Sequence, residues 1–197
     1  MKRILLLLFL VPSIGQAQWK ADEVNYTWVR AGYMVSEMET TGPTLDSSGF
    51  GIDGSVEVRD HMLLFASYDS LELDDFPGVK TQTRTIGLGA HVGLGERISL
   101  FGQIGYVDIG TSDAATTADD EGARAIAGIR LIPLAGFELR GGVDHLELDG
   151  AGGDTGVFVG SDLWLTDQFA LSADAVVRDD TVSLLFAGRI YFGGSPL

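Results

Sequence analysis

Cysteine is absent from the 197 residues, so disulfide staples and thiol chemistry are excluded. Cations are scarce: thirteen Lys and Arg stand against twenty-eight Asp and Glu, for a formal net charge of −15. A nucleic-acid surface needs the opposite sign, which removes that class of partner. Missing too, beyond the N-terminus, is any apolar run approaching the roughly 20 residues of a spanning helix. Glycine or charge interrupts every candidate. A chain that resides in a bilayer without such helices has one other way to satisfy its backbone there, the closed β-barrel.

The one apolar run, Ile4 to Val11, follows Met1-Lys2-Arg3 and precedes Gly15-Gln16-Ala17. A basic start, a short apolar stretch and small residues before Gln18 predict an export signal over residues 1–17, cleaved after Ala17. Losing Lys2 and Arg3 takes the charge from −15 to −17. Residues 18–192 then form the folded domain, and 193–197 a short tail.

What the chain has in quantity is glycine, at 27 residues, against 5 prolines. It also alternates. The final segment, Thr181 to Phe192, sets Val182, Leu184, Phe186, Ile190 and Phe192 on one face, opposite Ser183, Leu185, Arg189 and Tyr191. An apolar face against one carrying arginine and hydroxyls suits a strand with lipid outside and a polar lumen inside. Similar alternation predicts strands over 25–35, 49–58, 62–71, 81–92, 97–109, 122–131, 137–148, 155–165, 169–178 and 181–192. Ten strands are expected, with eight as the alternative should two weak ones merge.

Connections alternate in length: 36–48, 72–80, 110–121 and 149–154 are long, whereas 59–61, 93–96, 132–136 and 166–168 are short. Outer-membrane barrels place long loops outside and short turns in the periplasm. The hairpin at Asp179-Asp180 departs by being short where a long loop belongs. Soluble lipocalin-like barrels and sandwiches alternate too, burying the apolar face. Here that face is small and aliphatic, rich in Ala and Gly, whereas a two-sheet core calls for larger residues. The reading is an all-β fold, a single antiparallel transmembrane β-barrel with a polar lumen.

The export signal, the acidic chain, the alternation and the aromatic ending the last strand together resemble the small OmpA- and OmpX-like outer-membrane barrels. The opening Asn25-Tyr26-Thr27-Trp28-Val29-Arg30-Ala31-Gly32-Tyr33 and the ending Gly188-Arg189-Ile190-Tyr191-Phe192 look closer to the small barrels of xanthomonads, once proposed as immunity-triggering signals. The resemblance implies insertion by the barrel-assembly machinery, with outer-membrane lipid and lipopolysaccharide as surroundings. It also assigns Phe192 the place of the terminal-strand aromatic. Five residues before Phe192, where that family has glycine, stands Ala187, and residues 193–197 follow the aromatic.

Period two puts Arg30, Asp53, Glu57, Asp69, Arg130, Glu138, Arg140, Asp144, Asp162, Asp174 and Arg189 on the lumen face. Buried charges of both signs are tolerable when paired, so an ion-pair network filling a narrow bore is expected, with a charged pore lining as the alternative. Of three histidines, His61 and His91 fall near short turns, while His145 lies toward the long-loop rim beside Asp144. Strand neighbours point to opposite faces, so Asp144-His145 makes a poor dyad, and no catalytic residue or cofactor is assigned. The long loops are acidic, with Asp119-Asp120-Glu121 the densest spot, and offer oxygen ligands to divalent cations. Outward aromatics Tyr33, Tyr68, Tyr106, Phe137, Phe169 and Phe186 suit interfacial girdles. The function expected is a structural or surface-interaction role without catalysis. The alternatives are a narrow, weakly cation-preferring pore and, through His145 alone, a rim hydrolase acting on lipid or peptide.

Overall fold

The computed structural model describes residues 25–40, 42–112, 117–150 and 152–192. The expected signal with its cleavage point, the tail 193–197 and Asp113 lie outside the described residues. Ten strands form: β1 (Trp28–Met38), β2 (Leu45–Arg59), β3 (Met62–Leu73), β4 (Lys80–Gly93), β5 (Ile98–Ser112), β6 (Thr117–Leu134), β7 (Phe137–Leu148), β8 (Gly152–Trp164), β9 (Phe169–Val177) and β10 (Thr181–Tyr191). Each pairs antiparallel with its neighbours in sequence, and β1 pairs with β10 to close the barrel. The eight-strand alternative falls away.

Burial is inverted relative to a soluble fold. Ile104 is 65% exposed and Phe186 55%, while Arg189 and Asp162 are exposed by only 1% and 0%. A water-soluble barrel would expose its charges and hide its isoleucines. This surface instead carries an apolar wall of Val29, Ile52, Leu88, Leu100, Val157 and Leu171, with Tyr33, Phe50 and Tyr106 also turned outward. The wall suits lipid, with aromatics where interfacial rings belong.

Several boundaries move. The long connections contract to 39–44, 74–79, 113–116 and 149–151, because the hairpins go on pairing past the apolar wall. Glu37 thus stands opposite Asp46, and Asp108 opposite Glu121. Asp119, Asp120 and Glu121 belong to β6 and not to a loop. Outside the lipid-facing band neither face is apolar, so nothing in the hydropathy marks these ribbons as strands. Pro133 sits in the last residues of β6, where the pairing register slips between Leu131 and Leu134, a place that tolerates a missing amide donor. At the other end β1 begins at Trp28, three residues later than its alternation suggested. Tyr26 turns out of the wall into the bore, while Thr27 stays bonded to Phe192.

Candidate functional site: the lumen

Among the described residues six arginines point inward, each ion-paired: Arg30, Arg124, Arg130, Arg140, Arg178 and Arg189. Arg30 forks onto Asp53 of the adjacent strand, at 2.8 and 2.9 Å, and its third nitrogen meets Asp174 on β9. Arg140 joins Asp174 to Asp162, with 2.5 Å to the latter. Arg189 also reaches Asp162 at 2.5 Å, and the Tyr191 hydroxyl donates to the same carboxylate at 3.1 Å. Ser172 donates to its other oxygen. A chain of charge-assisted bonds therefore links β7, β8, β9, β10, β1 and β2. Because every member has an opposite charge within bonding distance, the desolvation cost of burying these ions is offset.

Two further groups sit at the ends of this belt. Toward the long-loop side, Arg124 forks onto Asp144 at 2.9 and 2.7 Å. Arg178 adds a second bond to Asp144 at 2.6 Å and lies 3.5 Å from Asp154. Toward the short-turn mouth, Arg130 forks onto Glu138 at 2.8 and 2.7 Å, with both side chains at least 96% buried.

The mouth is closed by the segment before β1. Tyr26 is 4% exposed. Its hydroxyl meets Ser99 Oγ on β5 at 2.6 Å, its ring stacks on His91 at 3.9 Å, and the Arg130 guanidinium lies 4.5 Å from the ring centroid. Asn25 C=O accepts from Arg130 at 3.1 Å, and Phe192 N–H donates to Thr27 C=O at 2.8 Å. In a ring of ten, β5 and β6 face β1, so these residues cross the bore.

The wall opposite the charges is of another kind. On β3, β4 and β5 the inward residues include Leu63, Phe65, Phe101 and Val107, with Gly87, Gly89 and Gly105 between them. A Cβ on Gly87 would meet Phe65 Cε1 at 2.7 Å, and one on Gly128 would meet Phe101 Cζ at 2.8 Å. Glycine is what lets these rings lie flat along the wall. Gly160 does the same for the ion pairs, since a Cβ there would strike the Asp174 carboxylate and approach Arg140 Nε to 2.8 Å. A cavity of about 210 Å³ remains, bordered by Phe65, Asp69, Gln103, Arg124, Asp174 and Leu185 among others.

Of the residues singled out from the sequence, Arg30, Asp53, Arg130, Glu138, Arg140, Asp144, Asp162, Asp174 and Arg189 are brought together in these clusters. Two are not. Glu57 is exposed at the mouth, bonded to His91 Nε2 at 3.0 Å and to the His61 N–H at 2.9 Å, because its strand carries it below the arginines although it shares their face. Asp69 faces the lumen but has no cation within 4.0 Å among the described residues. Arg124, Arg178, Tyr26 and Tyr191 also belong to these clusters. Both arginines hold lumen-facing positions of their strands; Arg124 meets Asp144 across the β6–β7 hairpin, whereas Arg178 reaches it from β9, past β8. Asp144 and His145 form no dyad: Asp144 is 1% exposed between two arginines, while His145 faces out, with Nδ1 2.8 Å from Thr155 Oγ1.

A family model for the outer membrane protein β-barrel domain matches residues 4–174. No match is found among curated proteins. Solved structures similar to the chain include Ail, the attachment invasion locus protein of Yersinia pestis, at 16% identity over 85% of this chain and 97% of that one, TM-score 0.40. Neisserial surface protein A is 9% identical over 84% and 96%, TM-score 0.38. The translocator domain of the autotransporter NalP from Neisseria meningitidis is 11% identical over 87% and 91%, TM-score 0.45.

Proposed function

We propose, for a chain that belongs to the outer membrane protein β-barrel domain family, a structural or surface-interaction role in the outer membrane, without catalysis and with a lumen that does not conduct. One observation carries this reading: Arg30, Arg140 and Arg189 share Asp162 and Asp174 and so bind together strands around half the bore. Opening a path there would separate buried ions from their partners, at a cost of several kcal/mol for each. The Tyr26 segment across the short-turn mouth supports the same reading. What such a barrel offers its surroundings is its acidic ribbons, which suit divalent cations and, through them, lipopolysaccharide phosphates. Insertion by the barrel-assembly machinery after removal of residues 1–17 completes the proposal.

A narrow cation-preferring pore is the second reading, and Asp69 is the observation in its favour. An unpaired carboxylate beside a cavity would bias any water path toward cations. Conductance of the refolded protein in a planar bilayer separates the two. Silence from a barrel whose folding is verified by heat-shifted gel mobility fits the closed lumen. Discrete cation-preferring steps that weaken in Asp69→Asn would replace it with the pore.

A further inference from the structure

Glu57, His61 and His91 meet at the short-turn mouth, outside the arginine network. Each offers one ligand atom, and the three atoms lie within 4.8 Å of one another. We propose that they form a binding site for a divalent transition metal, with zinc as the matching ion. Two imidazoles and a carboxylate are a recurrent zinc donor set that leaves a fourth position for water. Around an ion held at about 2.0–2.1 Å, tetrahedral ligand atoms stand roughly 3.3 Å apart. Binding draws the three ligand atoms in from their present spacing to that distance.

Three independent features hold the donors ready. His61 has φ of 68°, left-handed backbone that costs a non-glycine residue energy and that sets its side chain on the two-residue turn between β2 and β3. The His91 N–H donates to the His61 carbonyl at 3.0 Å, which fixes the turn against β4. Tyr26 stacks on the His91 ring at 3.9 Å with an interplanar angle of 17°, so one imidazole is oriented by packing before any ion arrives. Glu57 and His61 are exposed and His91 half-buried, which leaves the site open to the periplasmic side. Binding replaces the contact between His91 Nε2 and Glu57 Oε1, and both imidazoles must present an unprotonated nitrogen, so affinity falls in acid. Loaded, the site clips the β2–β3 turn to β4 directly beneath Tyr26.

The test is zinc titration of the folded protein in detergent micelles by calorimetry. His61→Asn keeps a residue that tolerates positive φ, and His91→Phe keeps a ring for Tyr26 to stack on. Each is expected to weaken binding by at least the roughly 10–100-fold that loss of even an outer-shell partner costs. His145→Asn, at the other rim, should leave binding unchanged. Folding of each variant is checked by heat-shifted mobility, and if His91→Phe fails to fold, His61→Asn on its exposed turn decides alone. Absence of one-to-one zinc uptake, or equal affinity in His61→Asn and the parent protein, would overturn the site.

Discussion

The Tyr26 hydroxyl and Ser99 Oγ lie 2.6 Å apart, although one residue precedes the first strand and the other opens the fifth, on the facing wall. This contact, the stack on His91 and the cation over its ring make Tyr26 the centre of the closed mouth. Tyr26→Phe removes only the hydroxyl bond and should cost about 1 kcal/mol. Tyr26→Ala also removes the ring and should cost about 3–5 kcal/mol. Urea unfolding in micelles, read by gel mobility, measures both. Equal costs for the two would mean that the ring contributes nothing.

Asp162 and Asp69 both face the lumen and should respond in opposite ways to loss of charge. Asp162→Asn leaves Arg140 and Arg189 short of a shared partner, an expected loss of about 3–5 kcal/mol. Asp69→Asn removes a half-buried charge that pairs with no cation among the described residues, so it should be neutral or stabilising. A destabilised Asp69→Asn would reveal a partner for that carboxylate in the membrane-embedded protein.

Arg130 and Glu138 form the most deeply buried fork. Arg130→Met alone strands a carboxylate and should cost about 3–5 kcal/mol. The double variant Arg130→Met/Glu138→Met should cost less than either single change, since both ions leave together. A double-mutant cycle by urea unfolding checks this, and additive losses would show the pair to be uncoupled.

Gly160 holds open the space taken by Asp174 and Arg140. Gly160→Ala is therefore expected to lose about 1–3 kcal/mol by displacing them. Gly102 faces lipid, its added Cβ meeting nothing closer than Ile126 O at 3.9 Å, and Gly102→Ala should stay within about 0.5 kcal/mol. Thermal unfolding of the two side by side tests the contrast, and equal stability would dismiss crowding in the lumen.

Within the lipid band period two carried the faces of the strands, because a wall with lipid on one side and a lumen on the other imposes alternation residue by residue. The same rule is blind to height along the barrel axis. Glu57 shares a face with Asp53 yet sits at the mouth, bonded to His91 instead of an arginine. It is blind as well to segments that leave the wall, so Tyr26 read as strand. Arg178 shows a third gap: its partner Asp144 lies on β7, beyond the adjacent β8, and no local pattern says which carboxylate a long side chain will cross to. The acidic ribbons escaped because beyond the lipid band pairing continues without an apolar face to announce it.

Tyr26 is separated from Ser99 by 73 residues, and its segment also bonds to Phe192 at the far end of the last strand. The bond to Phe192 exists only once β10 has been laid against β1. The seat for Tyr26 and its flanking residues thus draws on pieces contributed by the beginning, middle and end of the chain. A barrel with its β1–β10 seam unzipped would lose the bond that ties the floor segment to the last strand.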